Sequence, residues 1–301
     1  MTRKVDFLGI GAQRAGTTWL WQNLRQHPSI WLPPRKELHY FDRSPIYPSP
    51  SFLASEYLID RLLGREDHNK RFRKEFIRGL GGAIISKDWE KTRWTLRYFL
   101  GTYNDDWYLS LFRPGEGKVK GEITPSYSML TLKDVKHIRE LFPKLKVILI
   151  LRNPIHRAWS QVRYAWTKRQ FNSISNLDKI KKLIDSPAQS LRSDYVRTLG
   201  IWILCFPKGQ IYIGFYDDIV QDPQGWILDI LEFLGVDNTG FSNAETLNKK
   251  VNVSRVLEMP AEIKYYLAKK YYPELLKLNT LVGSHSAVWL RETEKILNAA
   301  E

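Results

Sequence analysis

One segment constrains the fold more than any other: the unbroken aliphatic run Val147–Leu151 (VILIL), which Asn153-Pro154 soon interrupts. A strand with one solvated face alternates apolar and polar residues, so a run without alternation predicts a strand buried on both faces of a parallel sheet. Val5–Ile10 and Gln210–Phe215 are two further strand candidates, and a helical pattern follows each of them. Because strands alternate with helices, we predict an α/β fold in three layers, with a central, mostly parallel sheet flanked by helices.

The rest of the chain extends this alternation without a clear domain boundary. Apolar periodicity predicts a strand over 118–122 and helices over 18–26, 51–63, 92–100, 131–141, 155–168, 194–206, 222–234 and 260–277. The strongly basic segment 64–80 is predicted to be a mobile connection between two of these helices. We therefore expect residues 1–301 to form a single domain with an inserted region near 43–117.

The composition narrows the functional classes. The chain has 46 Lys and Arg against 32 Asp and Glu, a net charge of +14, which favours nucleic acid, an anionic membrane surface or phosphorylated small molecules as partners. Its single cysteine, Cys205, excludes an intramolecular disulfide and a cysteine-based zinc site. No apolar run reaches the roughly 18 residues of a membrane span. The apolar residues 7–12 are too few for a signal peptide, so we expect a cytoplasmic protein.

The loop after the first strand has the glycine spacing of a phosphate-binding loop. Residues 11–18 read GAQRAGTT, so Gly11 and Gly16 form the pattern G-x-x-x-x-G between a strand and a helix. Such a loop directs backbone N–H groups and the positive end of the helix at an anion. ATP-binding loops of this kind have Lys after the second glycine, whereas this chain has Thr17, which argues against ordinary ATP or GTP hydrolysis. The structural alternative is a tight turn with a solvated Arg14.

A second anion site is predicted where the strongest strand ends. Arg152 follows that strand directly, and Ser160 lies up to two helical turns farther on. Ligands of open α/β sheets bind beyond the carboxyl ends of the strands, so Arg152 and the first loop would share one edge. Two such points indicate a ligand with two separated phosphate groups. The alternative for Arg152 is a structural ion pair, and we expect a solvated helix face for the cations Arg157, Arg163, Lys168 and Arg169.

Together the two motifs resemble those of the sulfotransferases that use 3′-phosphoadenosine 5′-phosphosulfate (PAPS). The first loop is similar to their 5′-phosphosulfate loop, and the segment from Arg152 to Ser160 is similar to their 3′-phosphate motif. Residues 249–252 (KKVN) resemble the late basic loop that closes over the nucleotide. The resemblance implies a P-loop-like sulfotransferase fold. The nucleotide-binding residues that it implies are Arg14, Ala15, Gly16, Thr17, Thr18, Trp19, Arg152, Ser160, Lys249, Lys250 and Asn252.

The resemblance also extends to the catalytic segment of the heparan-sulfate-type enzymes. Residues 36–42 (KELHYFD) resemble the segment with their catalytic glutamate, and 122–127 and 217–234 match further family segments. Glu37 is therefore implied as the general base, with His39 as second candidate; the structural alternative for Glu37 is a surface salt bridge with Arg35 or Lys36. The family usually has Lys in place of Arg14. Arginine keeps the charge but is a poorer proton donor, so we expect charge stabilisation from it.

These resemblances imply a PAPS-dependent sulfotransferase, similar to soluble bacterial members. The implied reaction is in-line transfer of a sulfuryl group to a hydroxyl or amine, with adenosine 3′,5′-bisphosphate as product and no metal. A carbohydrate, a glycolipid or a natural product remains open as acceptor, which we expect near 43–117. The heparan-type enzymes often have Lys where this chain has Ile123. A small-molecule kinase of phosphate-loop architecture and a basic nucleic-acid-binding protein are the alternatives; the resemblance implies neither a nucleic-acid partner nor a membrane span.

Overall fold

The computed structural model describes residues 4–48, 51–168, 176–238, 247 and 257–299. Within them, five parallel strands form one sheet in the order β2-β3-β1-β4-β5. The strands are β1 (Phe7–Gly11), β2 (Ile30–Trp31), β3 (Val119–Ile123), β4 (Lys146–Leu151) and β5 (Ile211–Phe215). The prediction of a mostly parallel sheet is confirmed.

Helices flank this sheet and connect its strands. The first seven are α1 (Thr17–Leu24), α2 (Leu58–Leu63), α3 (Asp67–Ile85), α4 (Trp89–Leu100), α5 (Asp105–Ser110), α6 (Leu132–Leu141) and α7 (Pro154–Thr167). The next seven are α8 (Leu177–Ile184), α9 (Pro187–Ser193), α10 (Tyr195–Cys205), α11 (Tyr216–Gln221), α12 (Pro223–Leu234), α13 (Ala261–Val282) and α14 (His285–Asn298).

The two aliphatic strands occupy the middle of the sheet, as their sequences require. All five residues of β1 are buried, and only Lys146 at the start of β4 is partly exposed. Leu8 pairs with Val147 of β4 on one side and with Glu122 of β3 on the other. A strand between two partners, with helices over both faces, has no solvated side, which explains the absence of alternation in VILIL.

The expectation for the basic segment 64–80 was wrong, because most of it belongs to the 19-residue helix α3. Its cations lie on the outer side of the helix, and Phe72 and Phe76 pack on Phe99 of α4 with ring centroids 5.5 and 5.3 Å apart. A helix whose apolar residues form a narrow stripe gains its stability from that packing rather than from its mean hydropathy. The many cations of this segment make its apolar periodicity hard to recognise in the sequence.

Helices α2 to α5 lie between β2 and β3 along the chain, in the region expected as an insertion near 43–117. Tyr108 and Phe112 from this region belong to the same buried core as Phe7 of β1. A smaller apolar cluster joins α7, α8 and α13 through Trp159, Ile180 and other buried side chains. The description of 1–301 as one domain with an inserted region stays a prediction.

Candidate functional site

The carboxyl ends of four adjacent strands bring the predicted motifs to one edge of the sheet. β1 leads into the loop with Arg14, β4 leads into Arg152, β3 leads into Thr124, and β5 leads into Tyr216. In a parallel sheet these ends face the same way, so residues far apart in sequence meet there. This edge is the candidate functional site.

The loop between β1 and α1 has the backbone of an anion cradle. Gly16 precedes α1 with a φ of +86°, and no side chain caps the helix there. A Cβ atom at Gly16 would lie 3.0 Å from Ile219 and 3.3 Å from Tyr216, so conformation and space both require glycine. The first N–H groups of a helix have no partners within the helix, and they carry its positive end. These groups at Thr17 and Thr18 are suited to a phosphate or sulfate.

Two cations and one hydroxyl gather beside this cradle; we call Arg14, Arg152 and Ser160 the cation cluster. Arg14 Nε donates a hydrogen bond to Ser160 Oγ at 3.3 Å, and Arg152 Nη1 donates one to the Arg14 carbonyl at 2.7 Å. Tyrosine rings support both guanidinium groups: Arg14 lies 4.7 Å from the ring centroid of Tyr164 and Arg152 4.3 Å from that of Tyr216. The structure thus joins the two motifs that the sequence placed separately.

Burial acts on both cations of the cluster, and the charge of Arg152 acts on Arg14 as well. The pKa of Arg14 is lowered by burial and by the neighbouring charge of Arg152, and the pKa of Arg152 is lowered by its own burial. Like charges held this close become more stable when an anion lies between or beside them. The cluster therefore favours an anionic ligand.

The expected solvated helix face is wrong for Arg157. This side chain is fully buried and donates hydrogen bonds to Ser193 Oγ and Gln189 Oε1, with the Nε–Oγ distance at 2.9 Å. Buried cations persist when hydrogen bonds replace water, and α9 provides the acceptors here. Arg163 is partly exposed, Lys168 is exposed, and Arg169 lies outside the described residues.

The segment after β2 forms a second group, here called the carboxylate cluster, from Lys36, Glu37, His39 and Asp42. Lys36 Nζ lies 2.6 Å from Glu37 Oε1, and His39 lies between two carboxylates, 3.5 Å from Glu37 Oε2 and 2.8 Å from Asp42 Oδ2. The salt bridge with Lys36 that was the structural alternative for Glu37 is thus present, together with a contact to His39.

The charges of the carboxylate cluster determine its protonation. Burial alone would raise the pKa of Glu37, but the hydrogen bond from His39 and the charge of Lys36 hold it well below its usual range. Burial alone would lower the pKa of His39, but Asp42 and then Glu37 raise it to about 10. At neutral pH Glu37 is therefore a carboxylate and His39 an imidazolium, which leaves His39 without a lone pair to act as a base.

A buried glutamate holds the backbone of this segment in place. Glu122 accepts hydrogen bonds from the Leu38 N–H at 3.1 Å and from the hydroxyls of Thr124, Tyr108 and Tyr127 at 2.6 to 2.8 Å. The residues on both sides of Leu38 have left-handed backbone, with φ of +66° at Glu37 and +57° at His39. Residues other than glycine rarely adopt this conformation, and here the hydrogen bonds of Leu38 with Glu122, Thr124 and Tyr98 hold the backbone between the two residues.

The turn at 125–129 brings the carboxylate cluster close to the first loop. Ser126 Oγ donates to Asp42, while a Cβ atom at Gly11 would lie 3.1 Å from Ser128. Arg192 of α9 adds a further cation: burial lowers its pKa to about 10 and Arg157 acts in the same direction, whereas Glu37 and Asp42 oppose the shift. Sequence reasoning missed Arg192, Ser126 and Asp42, although the spacing of Asp42 three residues after His39 was a usable signal.

Several expected nucleotide-binding residues have a less direct place. The indole of Trp19 is buried and donates a hydrogen bond to the Leu247 carbonyl at 2.9 Å. The group of Trp19 that remains to bind a ligand is therefore its backbone N–H, in the first turn of α1. Ala15 is buried within the loop. The expected residues Lys249, Lys250 and Asn252 lie outside the described residues.

The described part of the chain contains neither a metal-binding group of side chains nor a membrane-spanning helix. No group of three or more His, Cys, Asp or Glu side chains there could hold a metal ion. No helix among the described ranges has both the length and the apolar composition to cross a membrane.

Comparisons with known proteins give a consistent family. The family model described as "Sulfotransferase family" matches residues 7–240. A mouse (Mus musculus) heparan sulfate glucosamine 3-O-sulfotransferase 3A1 is 30% identical over 136 residues, which are 43% of this chain and 34% of the relative. The human (Homo sapiens) heparan sulfate glucosamine 3-O-sulfotransferase 6 is 29% identical over 140 residues, 43% of this chain and 39% of the relative. The chain therefore spans little more than a third of the length of these curated relatives.

Solved structures share the fold at lower sequence identity. A sulfotransferase from Alicyclobacillus acidocaldarius superposes with a TM-score of 0.65 at 19% identity, covering 95% of this chain and 98% of that one. The sulfotransferase domain from the curacin biosynthetic pathway gives a TM-score of 0.52 at 17% identity, covering 82% and 77%. The P-loop-like sulfotransferase fold predicted from the sequence is confirmed.

Proposed function

Because the chain belongs to the Sulfotransferase family of transferase enzymes, we propose that it transfers the sulfuryl group of PAPS to a hydroxyl or amine of an acceptor. The observation that carries this proposal is the cation cluster. Arg14 comes from the 5′-phosphosulfate-like loop, Arg152 and Ser160 come from the 3′-phosphate-like motif, and hydrogen bonds of 2.7 and 3.3 Å join them. A ligand with phosphate groups at two positions suits two adjoining anion sites.

The residues of this edge fit such a nucleotide. The N–H groups of Gly16, Thr17 and Thr18 and the positive end of α1 would hold the 5′ end. Arg152 and Ser160 would hold the 3′-phosphate, and Lys249, Lys250 and Asn252 would complete the site. Burial lowers the pKa of both Arg14 and Arg152, and the charge of Arg152 also lowers that of Arg14; this supports the assignment, because phosphate groups would stabilise the charged guanidinium groups. When bound, PAPS supplies an activated sulfuryl group on a phosphate leaving group.

Arg14 is the residue proposed to stabilise the reacting group. Charge spreads over the equatorial oxygens during an in-line transfer, and a fixed cation at the loop lowers the energy of that arrangement. The Arg14 guanidinium is held on two sides, by Ser160 Oγ and by the Tyr164 ring, so it needs little reorganisation.

Glu37 is proposed as the base that accepts the proton of the acceptor. It is ionised at neutral pH, its side chain is 36% exposed, and the hydrogen bond from Leu38 to Glu122 holds the adjoining backbone. His39 is then a positioning residue, because its imidazolium contacts Glu37 and Asp42 and has no lone pair to accept a proton. Ionisation leaves Glu37 competent but weakly basic, so its placement beside the acceptor is the main contribution.

A carbohydrate, a glycolipid or a hydroxylated natural product would serve as acceptor. The curated relatives are named for heparan sulfate glucosamine, which favours a sugar hydroxyl. We place the acceptor on the solvent-exposed side of Glu37, and its docking near 43–117 stays a prediction.

A ligand-induced shift in thermal unfolding tests the donor. The full chain is heated alone, with adenosine 3′,5′-bisphosphate, with ATP and magnesium, and with single-stranded DNA. A ligand present at about 100 times its Kd adds about 2.7 kcal/mol to the free energy of unfolding, so a selective rise in Tm with the bisphosphate is expected. No shift with the bisphosphate, or a larger one with ATP and magnesium or with DNA, contradicts the proposal and favours a kinase or a nucleic-acid-binding protein.

A further inference from the structure

Helix α3 has one exposed face that the candidate site does not use. Cations occupy its first half and large apolar side chains its second half, and one tryptophan follows at the start of α4. We call this set the α3 face. Its exposed members are Asp67, Lys70, Arg71, Lys74, Ile77, Arg78, Ile84, Ile85 and Trp89, and Asp67 forms an ion pair with Lys70 at 3.0 Å.

Helical periodicity puts the members of this set that belong to α3 next to one another; Trp89 follows at the start of α4. Positions 70, 74, 77 and 84 follow one line along the helix, and positions 71, 78 and 85 follow a neighbouring line because they are seven residues apart. Phe72 and Phe76 lie on the other side of α3, against Phe99 of α4. The packing thus fixes the helix and turns the α3 face outward.

The apolar half of this face is unusually exposed. Ile85 is 83% exposed and Trp89 is 72% exposed, and Ile59 and Leu63 of the neighbouring α2 are exposed as well. Single apolar residues are ordinary on a protein surface, whereas several within one group of helices mark a contact site.

We propose that the α3 face docks the protein onto an anionic lipid surface. Its cations would lie against the lipid phosphates, and Ile84, Ile85 and Trp89 would enter the interface between headgroups and acyl chains. Helices that lie on membranes combine these two features, and tryptophan is favoured at that depth. Cations near an anionic leaflet strengthen such binding.

The charge of the face distinguishes this occupant from two others. A contact with a second copy that pairs the same ends of the two helices would place Lys70 and Lys74 against like charges, and one that pairs opposite ends would place them against Ile84 and Ile85. A soluble polyanion would pair with the cations but would leave Ile84 and Ile85 in water. A lipid surface offers phosphates to the cations and an apolar environment to the isoleucines.

Two ion pairs that share Glu75 connect the α3 face with the segment that contains the proposed base. Arg78 lies 2.6 Å from Glu75, and Arg35, two residues before Glu37, lies 2.9 Å from the same carboxylate. Docking through α3 would therefore hold the segment after β2 close to the membrane. The docking proposal itself does not depend on the sulfuryl-transfer reaction.

Co-sedimentation with lipid vesicles tests the proposal. We expect the full chain to bind vesicles of phosphatidylcholine mixed with phosphatidylglycerol, to leave vesicles of phosphatidylcholine alone unbound, and to dissociate as salt is raised. The double variant Ile84→Ser/Ile85→Ser should bind at least tenfold more weakly. Its matched control is Leu204→Ser, which removes a 77% exposed leucine from α10 and should bind like the wild type.

Charge variants test the other half of the face. Lys70→Gln and Lys74→Gln should each weaken binding about fivefold, the effect of roughly 1 kcal/mol for one cation near an anionic leaflet. Lys133→Gln and Lys144→Gln, which remove exposed cations elsewhere, are the controls. Each variant is first shown to keep the Tm of the wild type, so that loss of binding is not loss of folding.

Three results would overturn the docking proposal. One is no binding of the wild type to the anionic vesicles. Another is equal loss of binding in the α3 variants and their controls. The third is a wild-type dimer in solution that Ile84→Ser/Ile85→Ser dissociates, since this result would assign the face to a second copy of the chain.

Discussion

The cation cluster and the carboxylate cluster lie at the same edge of the sheet but balance their charges in opposite ways. In the cation cluster, Arg14 faces Arg152, and tyrosine rings and a serine hydroxyl surround the two guanidinium groups. In the carboxylate cluster, Glu37 and Asp42 alternate with Lys36 and His39, so each charge has an opposite charge beside it.

This difference separates a binding function from a proton-transfer function. A group of like charges is stabilised by a ligand of opposite charge, so the cation cluster gains from binding anions. A group of alternating charges is stable by itself, and its protonation is determined by its own members. We therefore expect the loss of Arg152 to alter affinity and changes in the carboxylate cluster to alter turnover.

The largest expected effect comes from the proposed base. Glu37→Gln keeps the shape of the side chain but removes its ability to accept a proton, so kcat should fall by roughly 10²- to 10⁴-fold. The Kd for adenosine 3′,5′-bisphosphate should stay within about twofold of the wild type, because the cation cluster is intact. Steady-state kinetics and calorimetric titration measure the two quantities. The control is Glu116→Gln, at an exposed position outside both clusters; retained turnover in Glu37→Gln would exclude Glu37 as the base.

A smaller effect, on affinity, is expected from the cation cluster. Arg152→Ala removes a charged hydrogen-bond donor worth about 1.5 to 3 kcal/mol, so the bisphosphate should bind roughly 10- to 150-fold more weakly. Arg152→Lys keeps the charge but loses the forked geometry and should lie between the two. Titration of each variant checks this order, with Arg113→Ala at an exposed position as control. Unchanged affinity in Arg152→Ala would mean that the cluster is structural.

The third expected effect is on stability rather than on turnover or affinity: a pH dependence from His39. Its pKa rises from about 6.5 in the unfolded chain to about 10 in the folded protein. The stabilisation is therefore complete below about pH 6.5 and is lost as the pH rises toward 10, by no more than about 1.4 kcal/mol for each pH unit. Urea unfolding of the wild type and His39→Asn at several pH values measures it. The difference in unfolding free energy should shrink between pH 6 and 10, and a constant difference would show that His39 is neutral.

Much of the architecture could be predicted from the chain alone. The expected boundaries of β4 and of helices α6, α7, α10 and α12 differ from the observed ones by no more than two residues. These elements have strong apolar periodicity and clear end signals such as Asn153-Pro154. The strand β2 has two residues, too few for any pattern, and it exists because Ile30 pairs with Val119 of β3.

Individual polar residues were harder to predict than elements. Arg157 and the exposed Lys168 are both cations of one predicted helix, and only the position of α9 shows that Ser193 and Gln189 accept hydrogen bonds from a buried Arg157. The sequence around Glu122 indicates no role for its carboxylate. In the fold, Leu38, Tyr108 and Tyr127 all donate hydrogen bonds to it. Burial depends on what packs against a residue, and that information is distributed over the whole chain.

The sequence by itself determined the elements, their order and the two anion-binding motifs, because periodicity, glycine spacing and residue type are local properties. The tertiary structure decided which of these features act together. It brought Arg14 within 3.3 Å of Ser160 across 146 residues of chain, and it held Glu37 and His39 in left-handed backbone through the bond from Leu38 to Glu122. Such contacts and conformations require surroundings that many distant residues provide together, so no short segment of sequence specifies them.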